Sequence, residues 1–350
     1  MMPIPPLPPR YEPVDGSRAG GGMGETVLCE DTHLERRVLV KTLRPGTDTR
    51  RIRDEVAALA EVRSKHVVQL YDVIVDGRGE VVGLVEEFLD GEELAPDSIH
   101  ELDPLLRVGY AIAQGIADIH EHGVVHRDIK PSNMKFDGEG CLKIYDFGLA
   151  RFNGRNAHTV YIVGTPGFMA PELLAPGYQG GFQFDAAVDT FAFAITLAVL
   201  VTGVIPTIPR PFTNGFPFAL PLEMASLLDS CLASSPHARP SMRMICDCFR
   251  RYLVRDKHRA FVATPRGEFV LSSTNRQVTV NSRGRGSFLL SYDGITFSLS
   301  RIEGGVYVNN ESVSDGFALP GSCVIVLGAP AMQRDRVSIS VDISHPEVVL

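Results

Sequence analysis

The sequence predicts an α+β chain with a β-rich N-terminal part, a helical middle and an all-β tail. Three patterns predict it. Short apolar runs such as Thr26-Val27-Leu28-Cys29, Val38-Leu39-Val40-Lys41 and Val67-Val68-Gln69-Leu70-Tyr71 alternate with turns, as strands do. Helical periods appear at Ile52, Val56, Leu59, Ala60 and Val62, and again at Leu105, Val108, Ile112, Ile116 and Ile119. Past Lys257, apolar runs punctuated by Gly, Asn and Asp recur about every 8–12 residues, the spacing of a β-sandwich.

The 350 residues are 44% hydrophobic and 22% charged, material for two or three domains with their own cores. A net charge of −8 argues against general affinity for nucleic acid or an anionic membrane surface. Cys29, Cys141, Cys231, Cys246, Cys248 and Cys323 are scattered, with no CxxC pair and no zinc spacing, so reduced thiols in a cytoplasmic compartment are expected. Residues 1–10 are Pro-rich and lack the basic-then-apolar order of a signal peptide; they read as a flexible or polyproline lead-in. The most apolar window, Phe191 to Ile205, is too short and too near Pro206 and Pro209 to span a bilayer. It reads as a helix buried on all sides, and no membrane association is expected.

From Tyr11 the chain runs into Gly20-Gly21-Gly22-Met23-Gly24, where glycines between two strands let backbone N–H groups approach phosphates. Taken by itself, such a loop is more often only a flexible turn. The strand that follows ends in Lys41, and the helix from Asp48 to Val62 carries Glu55, on composition alone a solvated charge. Two more apolar runs end in Leu84-Val85-Glu86-Glu87-Phe88-Leu89-Asp90-Gly91. The Leu105–Ile119 helix, ending near Gly123, then delivers the chain into His126-Arg127-Asp128-Ile129-Lys130-Pro131-Ser132-Asn133. Met134 to Tyr145 reads as a hairpin turning at Asp137-Gly138, which brings Asn133 beside Asp146 of Asp146-Phe147-Gly148. An amide and a carboxylate held together facing Asp128 and Lys130 suit Mg²⁺ carrying a polyphosphate, with Asp128 meeting an incoming hydroxyl.

These blocks resemble the catalytic and metal-binding loops of eukaryotic-type protein kinases, HRDxKxxN and DFG. The resemblance runs from Tyr11 to about Val254 and implies the bilobal kinase fold, as in bacterial Ser/Thr kinases: an N-lobe over 11–90 and a C-lobe over 91–256. It implies ATP and Mg²⁺ as cofactors and protein substrates as partners. Asp128 would be the catalytic base, Lys130 would neutralise the transferring phosphoryl group, and Asn133 and Asp146 would hold the metal. Residues 20–24 and Lys41 would hold the phosphates, Glu55 would pair with Lys41, and backbone groups near Glu87 and Phe88 would meet adenine. His126 would brace the loop without touching substrate. Four positions depart from the family in one pocket: Ala19, Thr26, Leu39 and Glu86. They bear on adenine affinity or nucleotide choice; none removes a phosphate-handling group.

Leu149 to Met169, closed by Ala170-Pro171-Glu172, resembles an activation segment and contains Thr159, Tyr161 and Thr165. Arg127 and Arg151 are placed to receive a phosphate there, so autophosphorylation at Thr159 is expected, with Thr165 a second candidate that more readily orders the substrate-facing loop. Equally, these are ordinary polar loop residues. Lys130 with Gly164-Thr165-Pro166 resembles Ser/Thr rather than tyrosine kinases. The resemblance also implies that Asp189 ties its helix to the catalytic loop and that Arg239 pairs with Glu172.

Within 257–350, the stretch from Gly305-Val306-Tyr307-Val308-Asn309-Asn310 to Leu327-Gly328 resembles the C-terminal half of a forkhead-associated domain, which implies a phosphothreonine-containing partner. Gly304 stands where that family's loop asparagine is expected, and Arg283, Arg285 and Ser287 are candidates for its binding block. A β-sandwich used for docking, or for forming a homodimer, is an equal reading. For the whole chain the alternative to an active kinase is a pseudokinase scaffold that binds nucleotide weakly and recruits partners through its tail.

Overall fold

A computed structural model describes residues 7–20, 24–43, 50–152, 164–174, 185–207 and 209–348. The chain divides into two compact units, Met1–Phe249 and Arg250–Val349. The first begins with β1 (Tyr11–Pro13), β2 (Ala19–Gly20), β3 (Gly24–Asp31), β4 (Arg36–Leu43), helix α1 (Arg50–Glu61), β5 (Leu70–Val75) and β6 (Val81–Glu87). The strands form one antiparallel sheet in the order β1-β3-β4-β6-β5, with β2 on β3. Alternation buries Val27, Cys29, Val38, Val40 and Val85 in a common cluster with Tyr11 and Ile74. The opposite face carries Lys41. Gly24 is required at its place, because a Cβ there would lie 2.1 Å from the Thr42 carbonyl oxygen.

The helical part follows with α2 (Leu102–Glu121), β7 (Val124–Val125), β8 (Met134–Phe136), β9 (Leu142–Ile144), β10 (Arg151–Phe152), α3 (Ala187–Thr202), the single turn α4 (Phe212–Gly215), α5 (Leu222–Cys231) and α6 (Met242–Leu253). The apolar face predicted for α2 is the buried one: Leu105, Ile112, Ile116 and Ile119 are fully enclosed. Gly109 lets the helix approach Phe249 of α6, whose ring would lie 2.3 Å from an added Cβ. Thirteen of the sixteen α3 residues are buried, as a helix apolar on most of its sides requires. It ends at Thr202, because Gly203 adopts the left-handed conformation (φ 72°), and Val204 and Ile205 at the end of the apolar window lie exposed. On α1 the buried alanine is Ala58, and Ala60 faces solvent.

In the second unit ten strands build two sheets. Strands β11 (Ala260–Thr264), β12 (Gly267–Leu271), β16 (Val306–Val308), β17 (Glu311–Ser312), β19 (Cys323–Leu327) and β20 (Val337–Ile343) pair in the order β12-β11-β20-β19-β16-β17. The others, β13 (Gln277–Ser282), β14 (Gly286–Tyr292), β15 (Phe297–Gly304) and β18 (Phe317–Ala318), pair consecutively. Side chains of both sheets, Val262, Ile325 and Ile339 from one and Phe288, Leu290 and Leu299 from the other, share one hydrophobic cluster. The run expected to begin at Ile295 starts as a strand at Phe297, because the Asp293 carboxylate holds the N–H groups of Ile295 and Thr296 in a turn. All six cysteines are free thiols. Among the described residues no helix is long and apolar enough to cross a membrane.

Candidate active site

Asp189, on the first turn of α3 and wholly buried, organises the catalytic loop. Its carboxylate accepts the N–H groups of His126 and Arg127, each at 2.8 Å, and a ring N–H of His120 at 2.9 Å. Burial would raise its pKa, but the His120 hydrogen bond and ring and the Arg127 N–H hold it below the usual range. The anchored backbone carries Arg127 at φ 72°, a conformation that non-glycine residues adopt only when held. His126, buried and pushed down by that burial, is neutral: its Nδ1 accepts the Asp128 N–H and its Nε2–H donates to the Tyr145 carbonyl. It also meets the Phe147 ring edge-on, and so braces the loop from within.

Three donors converge on the Asp128 carboxylate. Lys130 Nζ lies 2.7 Å from Oδ2, Asn133 Nδ2 2.9 Å from Oδ2, and the Thr165 hydroxyl 2.7 Å from Oδ1. Lys130 also donates to Thr165 Oγ1 at 2.6 Å. Burial, the largest influence, favours the protonated acid; the Lys130 and Thr165 hydrogen bonds, with Asn133, override it and keep Asp128 ionised. The β8–β9 hairpin pairs Met134 with Ile144, and the Tyr145 N–H donates to the Asn133 carbonyl. Asn133 and the exposed Asp146, at φ 64°, therefore flank the end of one hairpin. The turn itself is longer than Asp137-Gly138: the Asp137 carboxylate caps the N–H groups of Glu139 and Cys141, and Gly140 takes the positive φ. Asn133 Nδ2 donates to the Asp128 carbonyl and carboxylate, so its amide oxygen, which takes no hydrogen bond among the described residues, would with the Asp146 carboxylate make a pair of hard donors that fits Mg²⁺.

Lys41 Nζ lies 3.2 Å from Glu55 on α1 and 2.9 Å from Glu86 on β6. Burial opposes its charge, yet Glu86, Glu55 and Asp146 together raise its pKa. Glu55 is pushed up to about 7, chiefly by burial, with Lys41 opposing the rise and Glu86 adding to it. Strand register aligns Ala19, Thr26, Lys41 and Leu84 across neighbouring strands, and Leu39 with Glu86 two residues along. The four departures from the kinase pattern thus share the lysine's face of the sheet. Glu87 turns its carboxylate onto Lys143 at 2.7 Å and its N–H onto the Gln69 carbonyl at 2.9 Å, so its side chain takes no part in a nucleotide pocket. Phe88 follows directly on β6. Gly20 pairs with Glu25, while Gly21, Gly22, Met23 and Thr159 lie outside the described residues.

A family model for the protein kinase domain matches residues 19–249. The chain belongs to the protein kinase domain family. Over 214 residues it is 33% identical to the serine/threonine-protein kinase PkaB of Streptomyces coelicolor, covering 53% of this chain and 48% of that protein. It is also 31% identical over 199 residues to the serine/threonine-protein kinase PrkC of Bacillus subtilis, covering 53% of this chain and 30% of the relative. With the serine/threonine-protein kinases drp72 of Corynebacterium efficiens the identity is 34% over 209 residues, covering 55% and 38%. The chain spans between about a third and a half of the length of these relatives.

In this kinase domain Arg239 closes on Glu172 with two 2.7 Å hydrogen bonds, as the resemblance implies. The guanidinium also donates to the Ala187 and Ala233 carbonyls and lies over the Phe191 ring, so it joins the segment end to α3. Arg127 is pushed down to about 10, chiefly by burial and also by the charge of Arg151, whose strand β10 pairs with β7 just before the catalytic loop. Arg151 reaches Asp54 of α1 at 3.3 Å. Two contacts escaped the sequence. Glu86 was legible as a departure from the family in the nucleotide pocket, but its contact with Lys41 shows only once β4 and β6 are paired. The closure of Thr165 onto Asp128, 37 residues away, left no local signal.

Proposed function

We propose that this chain is a cytoplasmic protein serine/threonine kinase that transfers the γ-phosphoryl group of ATP to Ser or Thr hydroxyls, its own activation segment included. The observation that carries this reading is the Thr165 hydroxyl donating to Asp128 Oδ1 at 2.7 Å with Lys130 Nζ at 2.6 Å: a threonine hydroxyl fits the place where an attacking one must be held. Asp128 orients the substrate hydroxyl and accepts its proton; Lys130 stabilises the charge that builds on the transferring group. Lys41 holds the nucleotide phosphates. Asn133 and Asp146 would hold Mg²⁺, which supplies charge neutralisation on the phosphates. The adjacent Arg127 and Arg151 would receive a phosphate on Thr159.

The shared core of the two tail sheets supports a β-sandwich, and its likeness to a forkhead-associated domain rests on the stretch from Gly305 to Gly328 alone. Ser287 is buried and donates to Glu303 at 3.3 Å, and Arg285 Nε is bound to the Asp335 carbonyl, which favours docking of a protein or a second copy over phosphothreonine reading. Gly304 could not be the expected asparagine, since an added Cβ would lie 2.9 Å from Gly286. The four departures from the kinase pattern on the lysine's face of the sheet, Ala19, Thr26, Leu39 and Glu86, are the feature that favours a scaffold with weak nucleotide binding. Incubating the purified chain with MgATP and a generic acceptor such as casein, followed by phosphoamino-acid analysis, separates the two. Phosphoserine and phosphothreonine are expected; nucleotide bound without transfer to any acceptor supports the scaffold.

A further inference from the structure

We propose that Glu86 is a second positioning residue for Lys41, holding the lysine from within the sheet so that it stays placed for phosphate when Glu55 does not. The proposal rests on the kinase reading of the site. Glu86 lies on β6, which is hydrogen-bonded to β4 on one side and β5 on the other, opposite Leu39 and Leu70. Lys41 is two residues along β4 from Leu39, so the two side chains stand on one face of one ladder. Their contact, 2.9 Å, is shorter than the 3.2 Å to Glu55, and Glu86 is 1% exposed. That geometry depends on strand register alone. The Glu55 contact depends in addition on where α1 lies.

An ammonium group has three N–H donors in a tripod. Two carboxylates on different elements take one each, which leaves the third for a phosphate oxygen. Either carboxylate can keep the tripod oriented without the other, and only the loss of both frees the lysine. Glu86 Oε1 is buried with no hydrogen-bond partner among the described residues, so the side chain is held at this place by Lys41. A carboxylate kept there only to fill the core would tie nothing to phosphate handling.

The test compares Glu55→Gln, Glu86→Gln, the double variant and Lys41→Met in the full chain. Two readouts are used: kcat and KM for MgATP, and the rate at which acetic anhydride modifies Lys41, followed by mass spectrometry. Each single variant is expected to lose about tenfold or less in kcat/KM, and the double about a hundredfold or more, approaching Lys41→Met. Lys41 should stay protected from acetylation in both single variants and become reactive in the double. Glu55→Gln falling alone to the level of the double overturns the proposal, as does a double no worse than Glu55→Gln. Should the wild type show no phosphotransfer, the kinase reading fails. The acetylation series then still decides whether Glu86 holds Lys41, with protection lost in Glu55→Gln alone overturning it.

Discussion

Lys130, Thr165 and Asn133 keep the Asp128 carboxylate ionised in a buried place, so this residue's value lies in aim more than in basicity. Asp128→Asn should lower kcat by about 10²–10⁴ with little change in nucleotide KM, measured on a peptide substrate. Glu55 behaves in the opposite sense. Because the folded chain holds its proton up to about 7, above the ordinary glutamate value, unfolding releases a proton over that interval. Stability is therefore greatest at and below pH 4.5 as far as Glu55 is concerned, and falls as pH rises through about 7. Thermal melts from pH 5 to pH 8 should show the decline in the wild type, and Glu55→Gln should flatten it. A slope unchanged by the substitution would contradict the assignment. Asp128, Asn133 and Asp146 were legible because a hairpin short enough to read links them. Glu86 and Thr165 were not, because their partners lie across a sheet and across a long segment.

Among elements, α3 does the most to build the site, since Asp189 at its start holds the catalytic loop and Phe191 backs the Arg239–Glu172 bridge. Arg239 is fully enclosed while Glu172 is 25% exposed. Removing Glu172 leaves a buried guanidinium with no carboxylate partner among the described residues, held by the Ala187 and Ala233 carbonyls and the Phe191 ring, so Glu172→Ala should cost about 3 kcal/mol in denaturant unfolding. Replacing both residues by methionine should cost less than either single loss. The helices were readable from apolar period, and their interiors match; the turn of the β8–β9 hairpin was not, because the Asp137 cap and the positive φ of Gly140 act through backbone conformation.

For the whole molecule, each unit carries its own buried cluster, the second entirely from residues past Arg250. Calorimetry should resolve two unfolding transitions, and Glu172→Ala should lower only the one that belongs to the kinase unit. A single transition shifted as a whole would show the units to be coupled. The strand spacing of the tail made its sheets legible, whereas the pairing of β11 with β20, its first and last strands, could not be read from local pattern. As a kinase, the chain would transfer phosphate with residues brought together from a loop, a hairpin and a distant segment. That transfer is tested most directly by incubating the purified chain with radiolabelled ATP and Mg²⁺ beside Asp128→Asn and Asp146→Asn. Label in the wild type, mapped within the activation segment and absent from both folded variants, is the predicted result; label that persists in either variant, or none in a wild type that binds nucleotide and is offered acceptors, would contradict it.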